Sequence, residues 1–227
     1  MYRILLVLML IVLCGARQAA AQTQISIATQ DGGLIYANLY GKGKRGVVLA
    51  HGGRFNKESW EPQAQRLAKA GYRVLALDFR GYGQSQGPGQ ADPLGAPLHY
   101  DVLAAVRYFR KAGAKTVAVV GGSMGGGAGA DATIEAAPGE IDRLVVLGGV
   151  AGSKPPEQIK GRKLFIVTRN DTSGTGPRLP GILAAYEKIS QPKKMVLLEG
   201  SAHAQFMFDT ELSERVMSEI LRFLSER

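Results

Sequence analysis

The segment of the chain best equipped for chemistry is Gly121-Gly122-Ser123-Met124-Gly125-Gly126. The apolar run 116–120 ahead of it reads as a buried strand, and the stretch beyond Ser123 reads as a helix to about residue 137, before Pro138. A G-x-S-x-G pattern between strand and helix lifts a serine hydroxyl from the sheet on a tight, strained turn. Side chains at 121 and 125 would crowd the adjoining strand and helix, so glycine fits there. The helix also aims its first amides and the positive end of its dipole at the same spot, which favours a developing oxyanion. The chemistry implied is nucleophilic catalysis by Ser123.

A serine needs a base, and the chain has three histidines. His51 follows the apolar run 47–50 within His51-Gly52-Gly53, and His99 opens a predicted helix, the place of a surface or capping residue. His203, in Glu199-Gly200-Ser201-Ala202-His203, comes directly after the last predicted strand and after the serine. A lone loop histidine is ordinarily just solvated; the need of Ser123 for a base makes His203 the choice. Triads built on such a turn run serine, acid, histidine along the chain. Of the acids between 123 and 203, most fall in helices or ahead of strands, whereas Asp171 follows the strand 163–168 by a few residues. Glu199 also lies past a strand, but too close to His203 in sequence for an easy contact. Asp171 is therefore the expected orienting acid. The oxyanion donors expected are the amides of Met124 and Gly53, with Arg54 next in line; the His51 side chain then pins its loop.

The same turn invites a nucleotide reading, since Gly125, Gly127 and Ala130 fit a loose G-x-G-x-x-A. That pattern starts several residues past the strand, in the third βα unit, with no acid closing the following strand, and no Walker pattern is present. No cofactor is expected. Cys14 is the single cysteine, so a mature chain lacking it has no thiol nucleophile, disulfide or cysteine metal site; no metal is expected.

The elements that must position these groups follow from hydrophobic patterning. Residues 24–29 and 34–40 alternate around Asp31-Gly32-Gly33 as an antiparallel hairpin. Apolar runs at 47–50, 73–78, 116–120, 142–147, 163–168 and 195–198 then alternate with helical segments at 59–70, 98–112, the one after Ser123, 179–189 and 210–224. This predicts an α/β single-domain fold: an eight-stranded, mostly parallel sheet buried on both faces, with chemistry at the carboxyl ends of the strands.

Residues 1–21 stand apart. Arg3, the apolar run 4–13 and Ala19-Ala20-Ala21 read as an export signal cleaved near 21/22, leaving a domain over 22–227 in the periplasm or outside the cell. Arg17 interrupts the apolar stretch too early for a span, so no stable membrane insertion is expected after cleavage. A lipoprotein anchor on Cys14 is the lesser alternative, because Leu13 precedes it. Removing 1–21 takes away Arg3 and Arg17 and no acid, lowering the formal charge from +9 to +7. The basic residues are scattered and no nucleic-acid-binding signature appears, so no nucleic-acid partner is expected.

From about residue 24 the chain resembles the α/β-hydrolase superfamily. The resemblance rests on His51-Gly52-Gly53, Asp78-Phe79-Arg80-Gly81-Tyr82-Gly83-Gln84-Ser85, the segment around Ser123, Asp171, and Gly200-Ser201-Ala202-His203. It implies acyl chemistry through an acyl-enzyme, on a small-molecule ester or thioester, with Asp78 and Arg80 bracing a loop. Residues 148–162 are too few for a helical cap, which resembles compact carboxylesterases, thioesterases and dienelactone-hydrolase-like proteins. Residues 87–97 and 173–180, rich in Pro and Gly, are expected to line the entrance. The competing readings are a non-catalytic binding protein that kept the fold, disfavoured by intact Ser123, His203 and Asp171, and a peptidase.

Overall fold

The computed structural model describes residues 22–92 and 95–226; the expected export signal lies outside them. Among the described residues ten strands and five α-helices form: β1 Thr23–Ala28, β2 Leu34–Tyr40, β3 Arg45–Ala50, α1 Glu61–Lys69, β4 Arg73–Leu77, α2 His99–Lys111, β5 Thr116–Gly122, α3 Met124–Glu135, β6 Arg143–Leu147, β7 Arg162–Thr168, β8 Thr172–Ser173, β9 Gly176–Pro177, α4 Leu179–Lys188, β10 Lys193–Leu198 and α5 Ser213–Ser225. Eight of the strands make one sheet in the order β1-β2-β4-β3-β5-β6-β7-β10. β1 pairs antiparallel with β2, and β2 with β4; the other pairings are parallel. This is the fold expected from the sequence.

Burial explains why the central strands are almost wholly apolar: both faces of the sheet are covered. Side chains alternate between two cores. Val48 and Ala50 of β3 join one that includes Val102, Phe109, Ala130 and Ile182 of α2, α3 and α4. Val47 and Leu49 join the other, with Leu67 of α1 and Val216, Ile220 and Phe223 of α5. Helix α3 lies unusually close to the sheet: a Cβ at Gly126 would stand 2.5 Å from Cγ1 of Val146. Part of the glycine richness of the chain thus serves close helix–sheet packing.

The predicted helix 59–70 starts as a short 3-10 turn, Lys57–Trp60, before α1. Between β6 and β7 there is only loop and a three-residue 3-10 turn, Pro156–Gln158, and no cap. The stretch read as an entrance loop contains the small ribbon β8–β9. Among the described residues no helix is long and apolar enough to cross a membrane.

Chain direction across the sheet reverses around β3, whose neighbours are β4 on one side and β5 on the other. At such a switch point the loops diverge and leave a crevice at the carboxyl ends of the strands. The loop after β4 is held beside it by charge. Arg80, fully buried, donates to Asp101 at 2.7 Å, to Asp31 at 3.0 Å and to the carbonyl of Pro88 at 2.9 Å. Burial opposes its charge, but the two carboxylates outweigh that and hold the guanidinium above its ordinary pKa. Asp78 accepts from Nζ of Lys57 at 2.6 Å and from its amide at 2.8 Å. Both residues brace the loop, as the resemblance implied.

Candidate active site

At the end of β5 the chain turns sharply into α3 with Ser123 at φ 49° and ψ −113°, a left-handed conformation that L residues rarely hold. The Ser123 amide donates to the carbonyl of Leu147 at 2.9 Å, and the Ser123 carbonyl accepts from the amide of Gly127 at 3.0 Å, the opening bond of α3. A Cβ at Gly121 would sit 2.3 Å from the Gly125 carbonyl oxygen, and one at Gly125 would sit 2.2 Å from that of Ala50. Both glycines are there because backbone occupies the space a side chain needs.

Two further loops meet this turn. His203, following β10, places Nε2 2.8 Å from Oγ of Ser123. Its Nδ1 lies 2.6 Å from Oδ2 of Asp171, which sits just after β7 and is buried, with its side chain 1% exposed. An ionised carboxylate can only accept, so Nδ1 carries the proton and Nε2 is free to accept from the serine hydroxyl. The structure therefore brings together the three side chains that the sequence singled out. Glu199, the other acid that lies past a strand, points away to Arg169 at 2.9 Å. His99, expected as a surface or capping residue, makes no cap hydrogen bond; its side chain is 13% exposed and lies 3.2 Å from Glu135 of α3.

Met124 is the first residue of α3, where amides have no intrahelical acceptor. The amides of Gly53 and Arg54 likewise find no acceptor among the described residues, and Gly53 is exposed beside Met124. The Gly53 carbonyl is held by the Tyr82 hydroxyl at 3.0 Å. His51 fixes this loop from behind, donating from Nδ1 to the Gly52 carbonyl at 2.8 Å and accepting at Nε2 from the Phe79 amide at 3.3 Å. Burial pushes this imidazole below its usual pKa, in keeping with a neutral ring that both donates and accepts.

Two residues went unnoticed in the sequence. Gln205 is buried, accepts from the Gly52 amide at 2.7 Å through Oε1, and donates to the Ser59 hydroxyl at 3.0 Å through Nε2. It ties the loop bearing His203 to the loop bearing Gly53. Arg178, just ahead of α4, donates its amide to the Asp171 carbonyl at 2.9 Å and holds Nε 3.3 Å from Oδ1 of Asp171. That approach is an ion pair by distance only, since neither atom is aligned for a hydrogen bond. Residues 95–97, 173–175, 177 and 178 border the depressions that open around Ser123, on the two stretches expected at the entrance.

A family model of the alpha/beta hydrolase fold matches residues 46–209, most of the described chain. The chain belongs to that family. A non-heme haloperoxidase of Rhodococcus erythropolis is 32% identical over 126 residues, which cover 55% of this chain and 43% of that protein. The chain spans less than half the length of the curated relatives it matches. Among solved structures, a Pyrococcus furiosus esterase superimposes with a TM-score of 0.75 at 19% identity, covering 90% of this chain and 91% of the other. A CIB-like hydrolase of Thermoplasma acidophilum does so with a TM-score of 0.71 at 22% identity, covering 90% and 98%. At such identities these neighbours speak for the fold.

Proposed function

We propose that this hydrolase-family chain is a serine hydrolase cleaving carboxylic ester or thioester bonds of small to medium acyl substrates. The observation that carries the reading is the line Asp171–His203–Ser123, with contacts of 2.6 Å and 2.8 Å, ending at a half-exposed hydroxyl. His203 Nε2 takes the Ser123 proton as Oγ attacks the acyl carbon, and Asp171 holds the tautomer and stabilises the imidazolium. The amides of Met124 and Gly53 receive the oxyanion, each such donor being worth about 2.7–4 kcal/mol of barrier. His203 then protonates the leaving alcohol or thiol, leaving an acyl-enzyme on Ser123. A water deprotonated by His203 releases the acid and restores the site. The leader pattern in residues 1–21 supports action outside the cytoplasm.

The test is labelling by a fluorophosphonate probe together with hydrolysis of p-nitrophenyl esters of graded chain length and a thioester. Labelling should vanish in Ser123→Ala, and turnover should fall by about 10⁴–10⁶. A folded chain that neither labels nor hydrolyses any member of the series refutes the proposal and favours a binding protein.

A further inference from the structure

The walls beside Ser123 differ in charge and polarity in a way that points to a substrate. On one side a depression of about 440 Å³ opens between the Gly53 loop, the β8–β9 ribbon and the His203 loop. Two arginines, Arg54 and Arg178, line it, and no Asp or Glu does among the described residues. The adjoining depression, which shares Arg178, Ser173 and His203, also has no carboxylate in its lining. The Arg54 side chain is exposed and engages no carboxylate among the described residues. Arg178 stands near Asp171, but that acid has one oxygen on His203 and the other unaligned with the guanidinium, so the fork of Arg178 keeps donors to spare. The same lining has an apolar part: Phe206, 37% exposed, packs on Phe55 with ring centroids 4.8 Å apart.

We propose that this depression binds a carboxylate carried by the substrate, so that the preferred substrates are esters or thioesters of small dicarboxylic or otherwise carboxylate-bearing compounds. The inference rests on the hydrolase reading of Ser123 and names its substrate class. Guanidinium groups meet carboxylates through paired, charge-assisted hydrogen bonds. The Phe55–Phe206 wall covers the methylene chain between that carboxylate and the scissile bond, and the amides of Met124 and Gly53 take the other end. Two positive groups with no competing acid in the lining would reward an anion and give a neutral chain nothing polar to meet.

The test compares two esters of equal chain length, mono-p-nitrophenyl adipate and p-nitrophenyl hexanoate, with phenyl and 4-carboxyphenyl hexanoate to place the charge on the leaving group instead. The expected result is a kcat/KM at least about 10-fold higher for an anionic ester than for its neutral counterpart, on the acyl or the leaving-group side. The ratio should fall about 5- to 10-fold in Arg54→Gln and in Arg178→Gln, and shrink in 0.5 M salt, where exposed charges are screened over about 3–5 Å. Binding of monomethyl adipate and methyl hexanoate to Ser123→Ala, followed by calorimetry, reads the same preference without turnover. Serine-dependent hydrolysis with a ratio near or below one, or a ratio indifferent to both arginine changes, overturns this inference and leaves the hydrolase reading standing. Hydrolysis of no ester sinks the hydrolase reading, and equal binding of the two methyl esters to Ser123→Ala then sinks this one independently.

Discussion

Ser123→Gly should be more stable than Ser123→Ala, although both remove the proposed nucleophile. Both changes remove the hydroxyl and with it the 2.8 Å contact to His203, so that loss cancels in the comparison. What differs is the Cβ, retained by alanine at φ 49° and ψ −113° and absent from glycine. A non-glycine residue held in such a region costs on the order of 1–3 kcal/mol, and glycine relieves it. Against this, the greater freedom of glycine in the unfolded chain costs roughly 0.5–1 kcal/mol. The balance favours Ser123→Gly by about 1 kcal/mol, and in a domain of this size that raises Tm by about 2–4 °C. Scanning calorimetry and urea titrations of the two variants measure it, with equal m-values showing that both unfold the same structure. If Ser123→Gly melts at or below Ser123→Ala with equal m-values, the turn is not strained and the argument that it stores conformational energy fails.

Two more predictions concern the supports of the site. Gln205→Met keeps the length of the side chain but strands the buried Gly52 amide, which donates at 2.7 Å to Oε1 in the native loop. An unpaired buried donor costs about 1–3 kcal/mol, and slackening the loop that presents Gly53 should lower kcat about 10-fold or more with KM little changed. Counting competent sites with a fluorophosphonate separates this from simple unfolding; unchanged kcat per labelled site would show Gln205 to be structural only. Asp31, whose hydrogen bond with Arg80 outweighs burial and holds its pKa below the usual carboxylate value, contributes stability that is complete above the unfolded value near about 3.9. That contribution is lost as pH falls through the lower folded value, so the stability gap between the native chain and Asp31→Asn should be flat from neutrality to mildly acid pH and close only below it. Denaturant titrations across pH check this, and a gap that widens on acidification refutes it.

The parts of the fold that were legible in the sequence are those set by local pattern. Val47, Val48, Leu49 and Ala50 could be read as a doubly covered strand because every one of them is apolar, and the structure buries all four. Ser123 and its glycines were legible because the turn imposes its own residue types: at 121 and 125 the backbone leaves no room for a Cβ. His203 emerged by elimination among three histidines. The neighbour of His99 was not legible because a position at the mouth of a helix says nothing of what lies beside it, and here Glu135 of α3 does. The ribbon β8–β9 was hidden by its length: two residues per strand carry no alternation to detect.

Gln205 and Arg178 escaped for a different reason, which bears on how the site is held. Gln205 reaches the Gly52 amide across 153 residues of sequence, and nothing near either residue announces the pairing. Its neighbour Ala204 takes φ 51° although it has a side chain, and Ala204 presses on Gly148 so closely that a Cβ there would lie 2.8 Å from the Ala204 amide. The loop carrying His203 is therefore not free to relax: Thr168 holds the Ala202 carbonyl at 3.0 Å on one side and Gln205 holds the Gly52 loop on the other. His203 and Gln205 flank Ala204, so its backbone sets the placement of both contacts, to Ser123 and to Gly52. The strained backbone at positions 123 and 204 and the hydrogen bonds between loops are thus two halves of one arrangement. The bonds over-determine conformations that neither segment would hold alone, which sets the His203 imidazole 2.8 Å from the Ser123 hydroxyl before any substrate arrives.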